Sequence, residues 1–106
     1  MASLGASAES LVGLEVVGDS MQPELLDGDV VLVNTYLERS VQLEPDIYVF
    51  RLGEELLIKR LVPDGQGGAV AHSTNLAYAP IPLPEDLPEG SFQIVGRLAV
   101  RWRQVR

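Results

Sequence analysis

The sequence contains no cysteine and a single histidine, His72. The first absence removes disulfides, thiolate metal sites and thiol catalysis together, and it fits a reducing cytoplasmic compartment. The second leaves any nucleophilic serine short of its usual partner, so a neutral lysine becomes the most economical base. Positive charge is also scarce. Eight Lys and Arg against 15 Asp and Glu give a formal net charge of −7. That argues against nucleic-acid binding by this segment, because neutralising phosphates requires a basic face. Long apolar runs are missing too. Val30-Val31-Leu32-Val33 is strand-length, far short of the roughly 20 residues of a membrane helix, so no membrane contact is expected. Residues 1–8 lack both a basic segment and an extended apolar stretch, so no secretory signal is expected.

What is present suits one globular domain: 106 residues, 46% of them hydrophobic. Residues 1–10 are expected to be a flexible leader or linker remnant, and residues 11–106 the domain. Strand signals dominate and no long helical period appears. Strands are expected over residues 11–17, 30–34, 46–52, 54–61, 69–72 and 92–105. Residues 46–61 should form a hairpin across Leu52-Gly53-Glu54-Glu55. Pro23 favours a short helical turn over residues 22–26, and Pro80, Pro82 and Pro84 confine residues 78–83 to an edge or extended segment. The last strand should alternate cleanly, with Leu98, Val100 and Trp102 on one face and Arg97, Ala99, Arg101 and Arg103 on the other. The arginines read as a solvated strand face. The fold class expected is all-β, a compact irregular barrel or sandwich with one short helical turn.

Two residues carry potential chemistry. Ser20 follows Gly18 at a strand-to-turn junction, where glycine permits backbone angles that expose a hydroxyl and turn nearby N–H groups toward a developing oxyanion. Lys59 lies in Leu56-Leu57-Ile58-Lys59-Arg60-Leu61. Strand alternation puts it on one face with Leu57 and Leu61, while Ile58 and Arg60 point the other way and Arg60 stays in solvent. A lysine can take a serine proton only when neutral, and a leucine-rich face supplies the desolvation that lowers its pKa.

Gly18-Asp19-Ser20-Met21-Gln22-Pro23, followed by Gly28-Asp29 and an apolar strand, resembles the nucleophile motif of the LexA-like serine peptidases. These are the C-terminal domains of LexA, of phage CI-type repressors and of UmuD. Ile58-Lys59-Arg60-Leu61 resembles their base motif, and Ile94-Val95-Gly96-Arg97-Leu98 their closing strand. Ser73-Thr74-Asn75-Leu76-Ala77-Tyr78 is similar to the Ser-x-Asn-x-x-Tyr segment of the phage-repressor branch. The resemblance implies Ser20 as nucleophile, Lys59 as general base and the backbone amides of Asp19 and Ser20 as oxyanion donors. Gly18, Met21 and Pro23 would shape the motif. It implies no cofactor and no metal. The implied substrate is an Ala-Gly or Cys-Gly bond in the protein's own upstream linker, cut when RecA–single-stranded-DNA filaments signal DNA damage. The implied partners are a second copy, giving a homodimer, and DNA held through a separate N-terminal domain. Neither dipeptide occurs in this sequence and nineteen residues precede Ser20, so the chain is expected to be an excised or cleaved C-terminal domain. Signal peptidases share Ser-Met-x-Pro with a Lys-Arg motif, but the missing anchor and the 73–78 segment weigh against that alternative. A silent dimerisation module is the other.

The remaining candidates have plainer readings. His72 lacks the partners of a metal site or triad and reads as structural. Asp27 and Asp29 flank a turn glycine and are expected to bond local backbone. Asn75 reads as an Asx turn that also braces a loop near the site. Trp102, the only tryptophan, is either core or a self-association surface; the resemblance favours the latter.

Overall fold

The computed structural model describes residues 10–36 and 43–102. The expectations for residues 1–9 and 103–105 therefore lie outside the described residues. Seven strands form one antiparallel sheet: β1 (Leu11–Glu15), β2 (Val30–Asn34), β3 (Asp46–Leu52), β4 (Glu55–Pro63), β5 (Ala69–His72), β6 (Ile81–Leu83) and β7 (Phe92–Trp102). Their spatial order is β1-β2-β7-β3-β4-β5-β6. The all-β class is what the strand signals predict.

β3 is the middle strand of the sheet, and its run Ile47-Tyr48-Val49-Phe50 is apolar throughout. Alternation sends Ile47 and Val49 into one core with Val16, Met21, Leu25, Val31 and Val33. Tyr48 and Phe50 enter a second core with Leu61, Ala71 and Leu83. A strand covered on both faces has no polar side to show. Phe50 meets Phe92 edge-to-face at 5.5 Å between ring centroids, a favoured aromatic geometry.

Several expectations need correction. β1 stops at Glu15, although Val16 N–H still donates to the Asp29 carbonyl and Gly28 N–H to the Val16 carbonyl, both at 2.8 Å. β4 runs on to Pro63 because β5 pairs with its second half. Only residues 81–83 of the proline-rich segment pair, as an edge strand. β7 does not alternate cleanly. Its register slips once against β3, leaving Val95 unopposed, and once against β2, leaving Ala99 unopposed. Phe92 and Ile94 therefore pack on the second core, but Val95 and Leu98 on the first. The arginines are also engaged. Arg97 bonds Asp46 at 2.6 Å and Glu44 at 3.1 Å, and Arg101 donates to the Glu24 carbonyl at 2.7 Å.

Candidate active site

The turn between β1 and β2 presents Ser20. Gly18 adopts a φ of +91°, a left-handed conformation that costs glycine nothing. Asp27 Oδ1 accepts the Gly18 N–H and Asp29 Oδ2 the Leu26 N–H, each at 2.8 Å. Both carboxylates thus hold turn backbone, as turn chemistry predicts. Leu25 N–H donates to the Met21 carbonyl at 2.8 Å, closing the single helical turn, and the Gln22–Pro23 peptide is cis. Met21 and Leu25 are buried in the first core and fix the turn to the sheet.

Lys59 approaches from β4. The register pairs Arg60 with His72, so Ser73 falls opposite Lys59 at the end of the β4–β5 ladder. Lys59 Nζ lies 3.1 Å from Ser20 Oγ and 2.9 Å from Ser73 Oγ, and 5.8 Å from the centroid of the Tyr78 ring. The lysine is only 6% exposed. The ion pairs among the described residues all belong to arginines, and no carboxylate neutralises Lys59. Burial accordingly lowers its pKa from the ordinary lysine value. Beside the pair opens a cavity of about 250 Å³ with apolar walls from Leu14, Val16, Val31, Val49 and Ile58.

The segment after β5 ties the site together. Asn75 N–H donates to the Ser20 carbonyl at 2.9 Å and Asn75 Nδ2 to the Asp19 carbonyl at 3.2 Å. Asn75 Oδ1 accepts the Ala77 N–H at 3.0 Å, so it makes the Asx turn and braces the Ser20 turn at once. The Tyr78 hydroxyl donates to Asp19 Oδ1, and that carboxylate raises the tyrosine pKa. No described acceptor engages the amides of Asp19 and Ser20.

Three features escaped the sequence reading. Glu24 accepts from Thr74 Oγ1 at 2.9 Å and from Arg60 Nη2 at 2.8 Å, so Arg60 is paired rather than left to solvent. Tyr78 joins the Ser20 turn through Asp19. Ser73 is buried against Lys59. The signal for Ser73 was available: extending the β4–β5 pairing outward from the Asp64–Gly68 turn places it opposite Lys59. Of the other candidates, His72 ends β5 opposite Arg60, and Trp102 is 68% exposed, so it is not core within this chain. Among the described residues, no three His, Cys, Asp or Glu side chains group as metal ligands do.

A comparison with curated proteins returns no match. The Peptidase S24-like family matches over residues 2–99, which takes in β1 through β6 and most of β7. A match spanning the turn of Ser20, the strand of Lys59 and the sheet between them makes the chain a member of the Peptidase S24-like family, to which the C-terminal domains of LexA, UmuD and phage repressors belong.

Proposed function

We propose that this chain is the self-cleavage and dimerisation domain of a transcriptional repressor of the phage or SOS type, with Ser20 as nucleophile and Lys59 as general base. The observation that carries this reading is the 3.1 Å separation of a serine hydroxyl and a buried lysine amine with no carboxylate partner. Over that distance a neutral amine accepts the Ser20 proton while Oγ attacks the scissile carbonyl carbon. The oxyanion meets the free amides of Asp19 and Ser20. The Lys59 ammonium then gives its proton to the departing amine, the peptide C–N bond breaks, and an ester to Ser20 remains. A water deprotonated by the same amine hydrolyses that ester. The amide of Asn75, bonded to the Ser20 carbonyl, holds the turn that aims these groups. Gly18, Met21 and Pro23 shape it.

The substrate in this reading is a small-residue–Gly bond in the upstream linker, with a RecA–DNA filament as trigger and DNA held by a separate domain. A parent protein carrying that linker should cleave itself increasingly fast as pH rises, and Ser20→Ala should abolish cleavage. Undiminished cleavage in the alanine variant would remove Ser20 as nucleophile. Exposed Trp102 favours a second role, association with another copy. A dimer that never cleaves at any pH would leave that role alone.

A further inference from the structure

We infer that Ser73 is a positioning residue for the Ser20–Lys59 pair: its hydroxyl accepts one N–H of the Lys59 amine and so turns the nitrogen lone pair toward Ser20. The inference rests on the reading of Ser20 and Lys59 as nucleophile and base.

A neutral primary amine has two N–H donors and one lone pair in fixed tetrahedral relation. It sits at the end of a flexible four-carbon stem. A single contact to Ser20 leaves the amine free to rotate, and the lone pair then faces the serine only part of the time. A second contact, to a different atom, fixes that rotation. Ser73 Oγ supplies it at 2.9 Å, closer than Ser20 Oγ at 3.1 Å, and Ser73 is itself 9% exposed. The other near neighbour, the Tyr78 ring at 5.8 Å, favours the ammonium and gives little direction to the free amine.

Position supports the same role. Ser73 is anchored twice, by lying opposite Lys59 at the end of the β4–β5 ladder and by preceding Thr74 and Asn75, which bond Glu24 and Ser20. The acceptor therefore holds its place relative to both members of the pair. The surrounding titratable groups are Glu15 on β1, Asp19 and Glu24 in the turn, Tyr48 on β3, Arg60 on β4, His72 on β5 and Tyr78 beyond it.

The role has a signature in pH. A hydroxyl oxygen stabilises an ammonium more than an amine, because charge-assisted hydrogen bonds are the stronger. Removing it favours the neutral form, so the rise of rate with pH should move to lower pH. The plateau should fall because the amine is no longer aimed. A residue that merely held the fold would act oppositely: loosening admits water, relieves desolvation and moves the rise to higher pH.

The chain can be tested without its substrate by a fluorophosphonate ester. Ser20 Oγ forms a bond to phosphorus, the P–F bond breaks, fluoride leaves, and the Ser20 proton passes to Lys59. Adduct formation at Ser20, followed by mass spectrometry from neutral to alkaline pH, gives the profile. Ser73→Ala is expected to lower the plateau about 10- to 100-fold and shift the rise to lower pH. Ser73→Thr should retain near-native behaviour, while its near-isostere Ser73→Val should behave like Ser73→Ala, separating the hydroxyl from side-chain volume. An unchanged profile in Ser73→Ala, a shift to higher pH, or equal rates in the Thr and Val variants would overturn the role while leaving the dyad standing. A wild-type chain unlabelled at every pH would overturn the dyad and Ser73 with it.

Discussion

Lys59 is buried with no carboxylate partner among the described residues, and that arrangement has consequences for stability as well as chemistry. Its pKa is lowered in the folded chain, whereas in the unfolded chain it returns to about 10.4. Between the two values the unfolded state binds more protons, so stability increases with pH through that window. Below the folded pKa the burial penalty is present in full; above the unfolded pKa it is gone. Lys59→Met keeps an unbranched side chain and removes the charge. It is expected to raise Tm at neutral pH, by a margin that narrows as pH approaches the unfolded value. Calorimetry at neutral and alkaline pH checks this, and a margin that widens with pH would reverse the assignment. A residue whose removal stabilises the fold is one retained for another reason.

Among the elements, β7 and the Ser20 turn are where local pattern yields to packing. β7 runs between β2 and β3, and its two bulges let one strand feed both cores. Buried Gly96 sits between the bulges, opposite Val49. A Cβ there would stand 2.6 Å from the Asn34 carbonyl oxygen and press on the Val33 side chain. Backbone cannot swing aside as a flexible side chain can, so Gly96→Ala should cost about 1–3 kcal/mol in urea denaturation. Loss of less than a few tenths would mean that β2 moves freely. The Ser20 turn is held by Glu24, whose side chain accepts from Thr74 and Arg60 and whose carbonyl accepts from Arg101. One residue thereby links the turn to β4, the segment after β5, and β7.

On the scale of the whole molecule, the outward face of the β1–β2–β7 end is unusually apolar. Val30 lies directly opposite Trp102, Leu32 opposite Val100, and Val30, Val100 and Trp102 are 40%, 43% and 68% exposed. Such a row, with an aromatic residue at its end, suits a second copy of the chain better than water. In the proposed dimer, Trp102→Glu is expected to weaken association by roughly 2 kcal/mol or more, the scale of a buried interface aromatic. Sedimentation equilibrium reads this directly, and a wild-type chain monomeric at all accessible concentrations would dismiss the interface. Ser20 and Lys59, on the β1–β2 turn and β4, are not part of this row, so labelling of Ser20 should survive the substitution.

Much of this was legible in the chain itself. Short apolar runs bounded by turn signals, with no long helical period, marked most of the strands and the all-β class. Gly18 before Ser20, and Lys59 among leucines, marked the two candidate groups because their demands are local: a permissive turn and an apolar strand. Folding alone decided which distant groups meet. Ser73, Glu24 and Tyr78 acquire their partners through strand register and loop closure, and a hydrogen bond spanning dozens of residues leaves no period in the sequence. The bulges of β7 arose the same way, because a strand shared by two neighbours must satisfy two registers that its own alternation cannot express.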